Sequence, residues 1–341
     1  MLQCDTVTPT TVRREQSHAV LLAIADDYGD PSAGPSFEYE TFLPVLRRFF
    51  GKVTVWPVDR LLLQRGFFRM NADFRDWVRQ EAPDLVFCVP FENQVDWSVL
   101  NDIRDSRTVT MAWMCDDHWR FERFSQWLSR CFDFVATTDR AAYLRYLSLP
   151  GARPLLTQWG CDTRRFRPVD SAPRYDVSFV GAHAQHRARH IRALRRAGIQ
   201  VHVRGRGWPD GRATTEELQT VPAQSLISLN FSNSRGSIKQ LKARPFELTG
   251  TGTCVVTEFA PQLCSYFAAG EELVVFRSTA ELINTVTSLL RHPELAKGIG
   301  RRGRLRTERD HTYEGRMAAL LRAAGFEGTP HRSDGVACVM S

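Results

Sequence analysis

Val177 to Leu194 read VSFVGAHAQHRARHIRAL. A β-rich apolar run ends at Gly181, and a basic segment with helical spacing opens about three residues later. A glycine at that turn lets a ligand approach backbone N–H groups. The following helix N-terminus offers partial positive charge to a phosphate, and Arg187, one turn in, is placed to reach the same anion. The turn has no G-K-[ST] and is no P-loop; it has no G-x-G-x-x-G and is no dinucleotide fingerprint. An ordinary strand-to-helix turn fits the same residues.

The alternation extends in both directions. Upstream, AVLLAIA (Ala19–Ala25), KVTVWPV, DLVFCVP, TVTMAWM and FDFVATTD are short apolar runs separated by amphipathic segments, among them one from about Trp119 to Arg130. Downstream come IQVHVRG, SLISLNFS, a helical segment around Ile238 to Leu248, then TCVVTE, ELVVFRS and terminal helices. Such alternation implies parallel sheets built from βαβ units. Between the halves the chain is polar and aperiodic with two prolines, which reads as a linker. We therefore expect an α/β chain of two Rossmann-like, doubly wound domains facing each other across a cleft. The expected parts are a leader over 1–17, an N-terminal acceptor-side domain over 18–160 and a linker over 161–175. A donor-side domain over 176–325 follows, its terminal helices able to cross back, and then a tail over 326–341.

A length of 341 residues suits two domains better than one. No apolar run approaches the ~18 residues of a membrane span, and the first residues lack a secretory apolar core. The eight cysteines include no C-x-x-C pair, so reduced, buried thiols of a cytoplasmic protein are expected rather than disulfides or a metal site. The net charge of +7 suits an anionic ligand and leaves DNA or a peripheral membrane surface as further partners. The terminal CVMS fits a prenylation pattern formally, without a polybasic run before it.

Ligands of open parallel sheets bind outside the carboxyl ends of the strands, which selects the candidates. Lys239, Lys242 and Arg244 precede Glu247 in IKQLKARPFELTGTGTCVVTEF. In a helix, 239 and 242 would share a face. Glu247 would accept two hydrogen bonds from a ribose diol, with the neighbouring cations on a diphosphate; a helix-terminal salt bridge is the simpler alternative. In RGRGWPDGR, Gly205 and Trp208 lie on a loop where the indole either stacks on a base or covers the core. Asn230 closes the strand SLISLN, and Glu258 lies after TCVVT. In the first half, Asp116, Asp117 and His118 follow a strand and suit general-base work on a hydroxyl, unless Asp117 only caps the next helix.

The pattern FVG…R…L…GI…V…G.GW, LNFS, K.R.FE….G….TE, YF..GEE and HP…..I…GR.R….HTY..R resembles the CgeB-like glycosyltransferases. It is dense over Asp176 to Arg316 and looser in DDHWRF, FD.V.TTD and QWGCD. The resemblance implies the GT-B fold and a metal-independent transferase without cofactor, moving sugar from a nucleotide-diphosphate sugar, usually uridine-linked, to a hydroxyl acceptor, retaining rather than inverting. It places Glu247, with Gly252 and Cys254-Val255-Val256, on the nucleotide ribose. Lys242 and Arg244, with Arg187, fall on the diphosphate, Gly181 on the close approach and Glu258 near the donor. A further glutamate that contacts the donor sugar in such enzymes has its place at Lys239 here, so the donor sugar and the stereochemical outcome are left open. His311-Thr312-Tyr313 resembles a structural signature. Two alternatives stand beside this reading: a glycosyltransferase acting on a hydroxylated DNA base, and a two-domain nucleotide-sugar sensor without chemistry.

Overall fold

Strands too apolar to face water on either side need helices over both faces, and the chain supplies them twice. The computed structural model describes residues 17–233 and 238–326. The leader and tail expectations lie outside them, save Ser17 and Phe326, as do Cys4, Cys338 and CVMS. Two units form: one from the residues up to Gln158 together with those from Glu314, the other Trp159–Tyr313.

The first unit runs β1 (His18–Ala23), α1 (Phe37–Leu46), β2 (Lys52–Pro57), α2 (Val58–Arg65), α3 (Phe67–Glu81), β3 (Leu85–Cys88) and α4 (Trp97–Arg104). It continues with β4 (Val109–Met114), α5 (Asp117–Arg120), α6 (Gln126–Leu128), β5 (Phe134–Thr137), α7 (Arg140–Tyr146) and β6 (Pro154–Leu156). All six strands are parallel, in the order β2-β1-β3-β4-β5-β6. Every residue of β1 and β3 is buried. Their side chains meet Phe74 and Val78 of α3, Leu100 of α4 and Tyr146 of α7 in one core. Ser36 caps α1, its hydroxyl accepting from Tyr39 N–H at 3.0 Å, as polar N-caps do.

The second unit comprises β7 (Tyr175–Val180), α8 (Gln185–Arg196), β8 (Val201–Arg204), α9 (Glu217–Ala223), β9 (Ser225–Asn230), α10 (Arg244–Gly250) and β10 (Cys254–Glu258). Then come β11 (Val274–Phe276), α11 (Thr279–Arg291), α12 (Pro293–Asp310) and α13 (Tyr313–Ala323), the last passing into the first unit from Glu314. Its five parallel strands are ordered β11-β10-β9-β7-β8. The chain steps from β7 outward to β8 and then crosses back to β9 on the other side of β7, so the switch point lies between β7 and β9.

Several expectations change. The helix expected over Trp119 to Arg130 is α5, a π-turn at Phe121–Ser125, α6 and a 3-10 turn at Ser129–Cys131. The helix expected around Ile238 to Leu248 starts only at Arg244, with Pro245 in its first turn. Lys239 instead forms an antiparallel bridge with Asn233, so Lys239 and Lys242 share no helix face. Of the six described cysteines, which are free thiols, five are buried and Cys264 is exposed.

Residues 161–175, expected as a linker, belong to the second unit, where Cys161 and Phe166 are buried. Cys161 N–H donates to His311 O at 2.8 Å and Tyr313 N–H to Cys161 O at 3.2 Å. His311 packs on Phe246 and Phe267 at ring distances of 5.3 and 4.9 Å. The HTY signature thus ties together the two ends of this unit.

α12 approaches the sheet through glycines. A Cβ on Gly303 would lie 2.2 Å from Glu272 O, whereas one on Gly298 would meet only the tip of Arg302 at 3.5 Å. Gly303→Ala should therefore cost about 1–3 kcal/mol through overpacking, while Gly298→Ala should be neutral or stabilising by up to ~1 kcal/mol. Urea unfolding of the two variants checks this; equal midpoints would show that α12 does not need the close approach.

Candidate functional site

The switch point of the second unit gathers the ends of β7, β9 and β10. No side chain caps α8, so its first N–H groups keep their partial positive charge beside the end of β7.

Gly181 and Gly205 serve a contact between loops. Gly181 N–H donates to Arg204 O at 2.9 Å, and its carbonyl accepts from Trp208 Nε1 at 2.9 Å. A Cβ on Gly205, at φ +148°, would stand 2.0 Å from Gly181 O, and one on Gly181 would meet the Phe179 ring at 2.9 Å. Trp208 also lies edge-on to His183 and Phe179, with centroids at 4.7 and 6.2 Å. Of the two roles open to Trp208, the geometry matches packing. Arg187 turns its Nη1 back onto Ala182 O at 2.8 Å, which stiffens the turn between β7 and α8.

The charged residues converge around α10 and β10. Glu247 sits in the first turn of α10 and is buried, with Arg244 Nη1 3.0 Å from its carboxylate in an i,i+3 ion pair. That position favours a carboxylate through the helix dipole. Lys242 Nζ donates to Asn233 O at 3.1 Å. Asn233 is also the bridge partner of Lys239, so the two lysines flank one backbone segment. Glu258, the last residue of β10, is buried, paired with Lys239 Nζ and accepting from Ser232 N–H at 3.1 Å. Asn230 donates through Nδ2 to Thr257 Oγ1 at 2.8 Å and braces β9 against β10.

Two histidines join this group that were not among the sequence candidates. His186 and His190, one turn apart on α8, are held below the ordinary imidazole range, first by burial. His186 also feels Arg187, Glu258 and Lys242, and His190 feels Glu258 and Lys239. His186 Nε2 is buried with no hydrogen-bond partner among the described residues. Beside Arg187 the sequence offers His186 no distinguishing mark, because Lys242 and Glu258, which also act on it, lie more than fifty positions away.

A cavity of about 230 Å³ lies elsewhere, at the amino-terminal ends of β9 and β10, lined by Pro168, Ser225, Thr253, Arg301 and Arg304 among others. It is at the wrong edge of a parallel sheet for the charged cluster. No group of three or more His, Cys, Asp or Glu side chains among the described residues is arranged to hold a metal ion.

In the first unit, Asp116, Asp117 and His118 follow β4 and have different surroundings. Asp116 takes a left-handed conformation, φ 61°, and its carbonyl accepts from Trp119 and Arg120 N–H groups. Strain of this kind collects at sites where the chain must turn sharply. His118 is half-buried. Asp117 points inward, 3% exposed, accepting from Thr137 Oγ1 at 2.7 Å and Tyr146 OH at 3.2 Å. Arg120 is buried over the rings of Phe91 and Phe124, at 4.9 and 4.4 Å, and binds Glu92 through two hydrogen bonds. It anchors α5 under these residues. After β1, the loop from Asp26 is held by the Arg60 fork on Asp26 and by Asp59, which accepts from the Ala25 and Asp26 N–H groups.

Burial pushes Asp117 up to about 6, against the lowering effect of the Ser125, Thr137 and Tyr146 hydroxyls. A raised carboxyl contributes stability below its unfolded value and loses it as pH rises through the folded value. The stability of the wild type relative to Asp117→Asn should therefore fall between about pH 4 and about pH 7, by on the order of 3 kcal/mol, and then level off. Denaturation of both proteins across that range measures it; a pH-independent difference would place Asp117 in an environment like water.

The comparisons bear on this geometry. Residues 186–322 match the family described as glycosyl transferase-like. No curated protein sequence matches the chain. Sucrose-phosphate synthase from Thermosynechococcus elongatus superposes with a TM-score of 0.66 at 13% identity, covering 91% of this chain and 99% of that one. Anabaena HepE in complex with UDP-glucose gives 0.60 at 12%, covering 90% and 99%. A glycosyltransferase from Rickettsia africae gives 0.60 at 9%, covering 90% and 98%. Identities this low speak for the fold. Residues 186–322 thus match the glycosyl transferase-like family, and the chain as a whole has two Rossmann-like parallel-sheet units of the GT-B fold.

Proposed function

We propose that this protein is a glycosyltransferase that moves a sugar from a uridine-linked nucleotide-diphosphate sugar to a hydroxyl acceptor. The observation that carries the reading is the placement of Glu247. It is a buried carboxylate at the start of α10, beside Arg244 and near Lys242, inside the segment that matches the family. HepE, which shares the fold, was crystallised with UDP-glucose. The finer placement among CgeB-like enzymes rests on the sequence pattern around K.R.FE and HTY.

The chemistry follows from the residues. A glutamate with two acceptor oxygens matches the two donors of a ribose diol. Lys242 and Arg244 then face the diphosphate, with Arg187 and the uncapped α8 N-terminus adding positive potential. Negative charge grows on the diphosphate as the glycosidic bond breaks, so fixed cations stabilise the transition state more than the ground state. Loss of one such donor costs on the order of 3 kcal/mol of that stabilisation. In the first unit, Asp116 and His118 are the groups left to take the acceptor proton, with buried Asp117 positioning the helix that carries them.

Binding of free nucleotides is the test. The full chain should show a thermal shift with UDP, and Glu247→Gln should weaken UDP binding by about 10- to 100-fold, as loss of a charged hydrogen-bond acceptor does. Circular dichroism verifies that the variant is folded. Absence of a shift with UDP, GDP or dTDP, or unaltered UDP affinity in a folded Glu247→Gln, would refute the assignment.

A further inference from the structure

Glu258 and Lys239 close a charge pair at the carboxyl edge of the second unit, and its surroundings give it a consequence. One Glu258 oxygen holds the Lys239 ammonium; the other accepts Ser232 N–H at 3.1 Å. The Glu258 side chain is 7% exposed and the Lys239 side chain 32%, so the acid is enclosed while the cation reaches the surface. Lys239 is held by its bridge to Asn233, whose carbonyl also takes the Lys242 ammonium. The cation assigned to the diphosphate and the Lys239–Glu258 pair therefore lie on either side of one residue. From α8, His186 and His190 face the same group, and burial holds both imidazoles below the ordinary range. His186 Nε2 is buried and has no partner among the described residues.

The wall next to the diphosphate cations is built on one closed ion pair, whose opposite charges cancel and whose ammonium is partly exposed. We propose that the Lys239–Glu258 pair makes the enzyme select donors whose sugar is electrically neutral, an inference that rests on the donor site assigned above. A neutral sugar can accept from the partly exposed Lys239 ammonium while the pair stays closed. A uronic acid would bring its carboxylate against enclosed Glu258, or would have to pull Lys239 away from it. A sugar with a free amine would have to displace Lys239. Parting a largely desolvated pair leaves an uncompensated charge behind, which is costly. Discrimination here comes from repulsion as much as from attraction.

Competition binding on the full chain tests this, with UDP, UDP-glucose, UDP-glucuronate and UDP-glucosamine as probes at mildly acidic pH. Each sugar donor is expressed relative to UDP on the same protein. The wild type should favour UDP-glucose over both charged donors by about tenfold or more. Glu258→Gln, which frees Lys239 for a carboxylate, should move the glucuronate-to-glucose ratio about tenfold towards glucuronate. Lys239→Gln, on the more exposed partner, should move the ratio towards glucosamine and serves if the first variant does not fold. UDP binding with ratios that do not move in the folded variants, or a wild type that prefers a charged donor, would overturn the inference alone. Failure to bind UDP at all would overturn the donor-site reading on which it stands.

Discussion

A carboxylate at the end of a strand that is buried on both faces must find a cation, and in this protein that requirement organises the second unit. β10 lies inside the sheet between β9 and β11, and all five of its residues are buried. Glu258 closes it, where water is scarce and an unpaired charge costs several kcal/mol. The loop after β9 meets that need: it brings Ser232 N–H to one oxygen and Lys239 to the other. Holding Lys239 there keeps the chain extended through the Asn233 bridge, and helix α10 begins only at Arg244. That late start places Glu247 in a first helical turn, where its charge meets the dipole and Arg244 together.

The fold was legible because parallel strands buried on both faces read as near-continuous apolar runs, as β1, β3 and β4 do. The failures have local causes. The helix expected from Ile238 was broken by the Asn233–Lys239 bridge, which no residue spacing announces; Pro245, a helix-starting residue, was the available signal. The segment after Asp117 keeps a helical hydrophobic spacing, yet it forms a π-turn where Phe121, Phe124 and the Arg120 guanidinium are buried together. β6 was not anticipated because Pro154–Leu156 is short and half-exposed at a sheet edge, where little apolar patterning is needed.

The candidate site was legible in part, for a different reason. Charged residues near strand ends can be listed from sequence, but their partners cannot. Glu247 with Arg244 is a local pair, i to i+3, and was within reach. Trp208 finds its acceptor on Gly181, twenty-seven positions away, and His186 is shifted first by burial and then by charges that include the distant Glu258 and Lys242. Gly181 invites a ligand in the sequence, yet the ring of Phe179, two residues earlier, already fills the space a Cβ would need. Asp117 looks reactive beside Asp116 and His118 until Thr137 and Tyr146 enclose it.

The pairing of Cys161 with His311, Thr312 and Tyr313 joins the points at which the chain enters and leaves the second unit. A unit whose two ends are hydrogen-bonded to each other is, in genetic terms, a cassette. The first unit is completed by residues from both sides of it, with Arg48 on Glu314 and Phe50 against Phe326. Recombination that exchanged Trp159–Tyr313 for another such module would therefore leave those contacts their partners. The two units are in this way free to be inherited separately.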